Sequence, residues 1–177
     1  FSLTGRLMRY YAITAAISYA MPNFLIFTVM PHLGAGYTGI MYTLSPAITL
    51  LMSVTLGIRR PNRLGMLGIA VGFIGAVMVA YTRGELGSPA APFWVALALL
   101  IPILLAAGNI YRTYDWPEGA DPVELAVGSH FASALMLIAA MLLQGSVSFS
   151  PLATIPFITV AQAAASAAMF AFYFRLQ

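Results

Sequence analysis

Hydroxyl side chains recur along one apolar segment of the chain, spaced by four, three, four and four residues. This spacing places them on one face of an α-helix. The residues are Thr38, Tyr42, Ser45, Thr49 and Ser53. Hydroxyl groups donate and accept hydrogen bonds, so the stripe could hold the polar groups of a bound molecule. The alternative is helix packing, in which each Ser or Thr bonds to its own backbone or to a neighbouring helix.

Two shorter polar faces lie near the ends of the chain. Thr14 and Ser18 form one, and Thr159, Gln162 and Ser166 form the other. An offset of 148 residues places Thr14 on Gln162 and Ser18 on Ser166, so the two faces correspond. Packing remains the simpler use of each Ser and Thr.

Larger polar side chains are costlier to bury in an apolar bundle, so they are better candidates for ligand contacts. Asn23, Tyr42 and Gln162 belong to this group. Asn109 lies within one turn of Arg112, where it could contact a ligand or simply bridge a helix and a loop.

His130 is the titratable side chain that lies well inside a predicted helix. An intramembrane histidine is a candidate for proton coupling. A neutral, hydrogen-bonded structural role is the favoured interpretation, because His130 lies only about 12 Å from the helix end. The chain has no Cys, and its two His residues are 98 positions apart, so we expect no catalytic residue, metal site or cofactor.

Long uncharged stretches make up most of the chain, and the polar residues described above lie within them. Charged residues make up 7% of it, against about 25% in soluble proteins. Tyr10–Ile58 and Leu125–Phe174 run 49 and 50 residues without a charge, enough for two membrane spans each. We therefore predict an all-α integral membrane protein, a bundle of six transmembrane helices at 9–31, 36–57, 64–82, 93–112, 122–144 and 152–175.

Arginine distribution orients these helices, because cytoplasmic loops retain basic residues. Seven of the eight Arg residues fall on one side of the predicted membrane, and only Arg83 lies opposite. Loops 58–63 and 112–121 are therefore predicted to be cytoplasmic. The net charge of +3 follows mostly from this topology, so it does not indicate a nucleic-acid partner.

Acidic residues gather before the fifth helix, in the segment that contains Asp115, Glu118, Asp121 and Glu124. Their simplest interpretation is a solvated face. Asp121 at the N-cap, Pro122 at the first position and Glu124 at the third predict the start of that helix.

Three prolines fall near the middle of predicted helices: Pro22, Pro46 and Pro102. Each removes a backbone hydrogen bond, and we expect the freed carbonyls to face a cavity rather than lipid. In the third helix, Gly68 and Gly72 form a small-xxx-small pair. Such pairs let helices approach closely within one chain or in a homodimer, and packing within the chain is the favoured use.

The first and last helices resemble each other in sequence. Ala15–Phe24 matches Ala163–Phe172 at six of ten positions. Five helices separate the two copies, so they would cross the membrane in opposite directions. Inverted repeats of this kind build many secondary transporters, with substrate held near the midplane. Two five-helix repeats need ten spans, so the six found here would be a fragment of such a protein.

Several segments resemble the EamA-like branch of the drug/metabolite transporter superfamily. Tyr37–Thr49, with its Ser45-Pro46 pair and the following Gly57, is similar to the fourth span of that family. Gly108–Arg112 is similar to the end of its sixth span. The family normally has Glu after the glycine that closes span four, where this chain has Ile58.

The resemblance implies that the chain is spans three to eight of ten. Residues 1–83 would be the last three helices of the first repeat, and 84–177 the first three of the second. It implies a transporter for small metabolites, amino acids or drug-like compounds in the bacterial inner membrane, with substrate and lipid as its partners. The alternatives are a structural membrane subunit without transport activity and, less favoured, a membrane enzyme. The predicted substrate-binding residues are Ser18, Asn23, Tyr42, Ser45, Thr49, Gln162 and Ser166.

The orientation can be tested directly, because the chain has no native Cys. Cys introduced at Asn62 or Gly119 should react with a membrane-impermeant thiol reagent only from the cytoplasmic side. Cys at Ser88 or Ser148 should react only from outside. Labelling of positions 62 and 88 from the same side would contradict both the orientation and the inverted repeat.

Overall fold

A computed structural model of the chain describes residues 5–58, 62–82, 92–145 and 156–175. The six predicted helices are confirmed, and their ends lie within four residues of the predicted ones. The described part of the chain contains no strand. The helices are α1 (Gly5–Leu33), α2 (Ala35–Thr55), α3 (Arg63–Thr82), α4 (Pro92–Tyr114), α5 (Pro122–Leu143) and α6 (Pro156–Arg175).

Four of these helices, α1, α2, α4 and α5, are long and apolar enough to cross a membrane. Large apolar side chains are exposed on every helix, among them Phe27, Leu51, Phe131 and Phe157. Such surfaces suit a lipid environment. Membrane crossing by α3 and α6 stays a prediction. Arg59, Arg60 and Arg83, used in the orientation argument, lie outside the described residues.

The chain divides into two compact units. The first unit is Phe1–Ala16 with Trp116–Gln177, and the second unit is Ile17–Asp115. The predicted halves, 1–83 and 84–177, concern a sequence repeat and stay a prediction.

In the first unit, the segment Gly5–Thr14 of α1 packs on α5, and α5 also packs on α6. The ring of Tyr11 lies so close to Gly128 that a Cβ there would be 2.6 Å from it. Helix α5 begins as predicted, because the Asp121 carboxylate accepts a hydrogen bond from the Glu124 backbone N–H at 3.2 Å. This bond satisfies one of the free N–H groups of the first turn.

In the second unit, α4 is the common partner of α1 and α2. Met21–Leu33 of α1 and both halves of α2 pack against α4, whereas α3 packs on the first half of α2. Apolar side chains from α1, α2 and α4 form the core. They are Val29, Leu33, Met41, Ala98 and Ile101.

Helices α1 and α2 are interrupted near their prolines. Ala15–Ala20 of α1 is a π-helix that ends just before Pro22. Helix α2 breaks at Leu44, between Ala35–Thr43 and Ser45–Thr55, just before Pro46. A proline lacks an N–H and clashes with the carbonyl four residues earlier, which accounts for both interruptions.

The third proline has a different effect, because α4 continues through the buried Pro102 as an α-helix.

The two segments that match in sequence at an offset of 148 residues differ in local structure. Ala15–Ala20 forms a π-helix, whereas the matching residues 163–168 are α-helical within α6. The inverted repeat therefore stays a prediction.

The glycine face of α3 does not pack within the described part of the chain. A Cβ added at Gly65, Gly68, Gly72 or Gly75 would meet nothing within 4 Å. The prediction that this face serves packing inside the chain is therefore wrong for these residues. Gly65, Gly68 and Gly72 instead border an open groove between α2 and α3.

The difference between buried and open glycines predicts their response to substitution. Gly128→Ala should lower the free energy of unfolding in detergent by about 1–3 kcal/mol, because its Cβ would overlap the Tyr11 ring. Gly68→Ala should not be destabilising, since its Cβ meets open space and Ala favours a helix. Thermal unfolding of both variants is the measurement. A Gly128→Ala variant as stable as Gly68→Ala would contradict the packing of α1 on α5.

Candidate functional site

Arg112 lies in the last turns of α4 and is buried, with 4% of its surface exposed. It donates a hydrogen bond from Nη1 to the Tyr19 hydroxyl at 3.1 Å and another from Nη2 to Asn109 Oδ1. Its guanidinium carbon also lies 5.8 Å from the centre of the Tyr19 ring. The sequence placed Arg112 at the start of loop 112–121. The structure extends α4 to Tyr114, so Arg112 is a buried helical residue.

Asn109 connects α4 to α2. While its Oδ1 accepts from Arg112, its Nδ2 donates to Thr49 Oγ1 at 3.2 Å. Thr49 Oγ1 in turn donates to the Ser45 backbone carbonyl at 2.8 Å. Of the two uses considered for Asn109, the structure favours a bridge, but one between two helices.

Tyr19 connects Arg112 and Asn109 to α1. It lies in the π-helical segment, and its backbone carbonyl accepts a hydrogen bond from Asn23 Nδ2 at 2.8 Å. Its hydroxyl is the acceptor for Arg112. Side chains from three helices therefore form one polar network in the second unit. Its members are Tyr19, Asn23, Thr49, Asn109 and Arg112.

An open groove of about 580 Å³ lies beside this network, between α2 and α3. Tyr42, Ser45 and Pro46 line one wall of the groove. Gly65, Gly68 and Gly72 of α3 line the opposite wall, where they have no side chains to fill the space. Tyr42 is 47% exposed. The groove could thus hold a small molecule between Tyr42 and the glycine face.

Ser18 occupies a different environment. It is buried, its hydroxyl has no hydrogen-bond partner among the described residues, and it presses against the Gly108 backbone. A Cβ at Gly108 would overlap the Ser18 hydroxyl. This contact fits close helix packing, the simpler use expected of a single Ser.

The remaining predicted residues lie in the first unit. Ser166 is exposed on α6, and the Gln162 side chain lies outside the described residues. On α5, His130 Nδ1 lies 2.8 Å from the Ala126 carbonyl. This bond suits a neutral histidine that donates from Nδ1. A role of His130 in proton coupling stays a prediction.

Sequence reasoning missed Tyr19 and gave Arg112 only a topological role. The spacing could have found both, because Tyr19 and Asn23 are four residues apart and Asn109 and Arg112 are three apart. Each pair shares a helix face. In the described ranges, no three His, Cys, Asp or Glu side chains lie close enough together to hold a metal ion.

Comparison of the chain with protein-family models, with curated proteins and with solved structures finds no match.

The bridge made by Asn109 predicts coupled effects on stability. Asn109→Ala should lower the free energy of unfolding by about 1–3 kcal/mol, because it removes a partner from both Arg112 and Thr49. Thr49→Val should have a smaller effect, and the double variant should lose less than the sum, by about 0.5 kcal/mol or more.

Thr55→Val is the matched control, since exposed Thr55 bonds only its own helix, at the Met52 carbonyl. It should change stability by less than about 0.5 kcal/mol. Strict additivity of Asn109→Ala and Thr49→Val in thermal unfolding would contradict a direct bond between the two side chains.

Proposed function

We propose that the chain is part of a secondary transporter of the EamA-like type, which moves small metabolites, amino acids or drug-like compounds by alternating access. The observation that carries this proposal is that two interrupted helices, α1 and α2, meet α4 at a buried polar network. Secondary transporters form their substrate sites from interrupted membrane helices.

Interrupting a helix inside a membrane is energetically costly, which supports a functional use for the interruptions in α1 and α2. An irregular backbone at membrane depth is tolerated where it is buried in protein or lines a water-filled cavity. The π-helix of α1 contains Tyr19, and the break of α2 is followed by Ser45 and Thr49. Both interruptions thus lie beside polar side chains of the network, and π-helical segments are frequent at functional sites.

The break in α2 also supplies an element that could move. Ala35–Thr43 packs on α3 as well as on α1 and α4, whereas Ser45–Thr55 packs mainly on α4. A change of angle at Leu44 would alter the groove between α2 and α3 while the bond of Thr49 to Asn109 persists. Substrate held at Tyr42 would then be exposed to one side of the membrane at a time.

On this proposal the protein has ten helices in two inverted repeats and resides in the bacterial inner membrane. Loops 58–63 and 112–121 face the cytoplasm. Tyr42 and Ser45 contact substrate from the groove, and the polar network holds α1, α2 and α4 together.

The test is transport by the protein from the complete open reading frame, purified and reconstituted in liposomes. The probes are radiolabelled amino acids and a fluorescent cationic dye. Tyr42→Phe keeps the ring but removes the hydroxyl, so apparent affinity for a transported probe should fall roughly five- to 150-fold. Thr55→Val should transport normally.

Absence of flux for every probe, from a folded protein, would favour the alternative of a structural subunit. Equal transport by Tyr42→Phe and the parent protein would reject the groove as the substrate site. A complete reading frame with only six spans would reject the ten-helix account.

A further inference from the structure

Two grooves adjoin each other between α2 and α3. The groove beside Tyr42 has a volume of about 580 Å³, and the second groove has a volume of about 480 Å³. The residues common to both linings are Thr43, Ile69 and Phe73. Helix α3 packs closely on Ala35–Thr43 but only loosely on Ser45–Thr55, which leaves this space open. Both volumes lie within the range of small-molecule sites, about 300–1,000 Å³.

The second groove has apolar walls. Its lining consists of Leu, Val, Ile, Met, Ala and Phe side chains together with Thr43. Thr43 Oγ1 donates a hydrogen bond to the Ile40 carbonyl at 2.7 Å, so this hydroxyl is already used within its own helix. Leu51 and Met66 are 64% and 52% exposed, so the groove opens onto an apolar surface. A molecule in this groove would lie against hydrocarbon.

The groove beside Tyr42 adds two hydroxyl groups to apolar walls. Tyr42 and Ser45 both line it, and Ser45 is only 6% exposed. Within the described ranges, neither hydroxyl makes a hydrogen bond. Each Thr of α2 instead donates to a backbone carbonyl three or four residues earlier. These residues are Thr38, Thr43, Thr49 and Thr55. Because buried polar groups usually have a partner, the hydroxyls of Tyr42 and Ser45 are suited to a ligand.

No charged side chain lines either groove among the residues that the structure describes. Arg112 is absent from both linings and is bonded to Tyr19 and Asn109. The break in α2 adds no net charge, because the C-terminus of Ala35–Thr43 meets the N-terminus of Ser45–Thr55 and the partial charges of the two ends offset each other. A charged ligand would therefore lose its hydration without gaining an opposite charge.

We propose that the grooves bind an uncharged amphipathic compound, with an apolar ring or chain and a neutral polar group such as a hydroxyl. The polar group hydrogen-bonds to Tyr42 and Ser45. The apolar part lies on the glycines of α3 and extends towards the second groove. This inference rests on the proposed function, because it names the substrate class for the groove assigned there. Binding itself can be measured without transport.

The probe is naphthol, an uncharged double ring that carries one hydroxyl group. Protein from the complete open reading frame is purified in lipid nanodiscs, and binding of tritiated naphthol is measured by equilibrium dialysis at neutral pH against empty nanodiscs. We expect saturable binding to the protein. Naphthoate and naphthylmethylammonium have the same ring with a negative or a positive charge, so each should compete at least about tenfold more weakly than unlabelled naphthol.

The variants identify the contacts. Tyr42→Phe and Ser45→Ala each remove one hydroxyl and should weaken naphthol binding about fivefold or more. Gly68→Leu places a side chain in the groove, where a Cβ meets nothing within 4 Å, and should abolish binding. Gly75→Leu is the matched control, because Gly75 is equally open on the same helix but does not line the groove. Gly75→Leu and Thr55→Val should bind as the parent does.

Three results would overturn the proposal: no saturable naphthol binding, equal competition by the charged and uncharged compounds, or unchanged affinity in both Tyr42→Phe and Ser45→Ala. The first result is expected if a lipid chain or another helix of the complete protein fills the grooves. If Gly68→Leu does not fold, the two hydroxyl variants still decide the matter.

The outcomes for transport differ from those for binding. Naphthol binding that depends on Tyr42, without transport of any probe, would support this inference and reject the proposed function. Transport of the cationic dye that depends on Tyr42, without naphthol binding, would support the proposed function and overturn this inference.

Discussion

A guanidinium buried among apolar helices must be given hydrogen-bond acceptors, and in the second unit this requirement decides which helix faces meet. Arg112 reaches the Tyr19 hydroxyl on α1 and the Asn109 amide within α4. Asn109 then uses its other amide atom for Thr49 on α2. Because removal of one member leaves a buried charge or polar atom poorly paired, the network holds the three helices in one arrangement.

Around this network, the two halves of α2 have different packing partners. Its second half is joined to α4 through Thr49, while its first half lies on α3, whose glycines remain open. The break at Leu44 separates the two. The open groove beside this break is the place at which the substrate site is proposed, with Tyr42 in its wall.

The fold was predictable where it depends on composition and local chemistry. The uncharged stretches gave six helices, and Asp121, Pro122 and Glu124 marked the start of α5. The consequence of each proline was less predictable. Pro22 and Pro46 accompany interruptions of the helix, whereas Pro102 does not. The effect of a proline depends on how the neighbouring helices and side chains satisfy the backbone groups that it frees, and the sequence does not show this.

The candidate site was predicted only in part, because sequence periodicity identifies a helix face but not its neighbour. Thr49 was chosen from its stripe, and the structure adds its partner Asn109. Arg112 was read as a marker of topology, since an arginine near a helix end usually is one. Glu124 was read as a solvated acid, yet one of its carboxylate oxygens is buried. Arg112 is buried against Tyr19 of α1, a helix distant in the sequence.

The π-helix of α1 has a further consequence for the number of residues that this helix needs. A π-helical turn holds one residue more than the α-helical turn it replaces, so it behaves as a single-residue insertion. Each residue advances a helix face by about 100°. Deleting Ala16 would remove that extra residue and would be expected to let the segment around Tyr19 close as a regular α-helix. An alanine with no polar atom of its own would thus decide whether Tyr19 lies in an irregular or a regular turn of the helix.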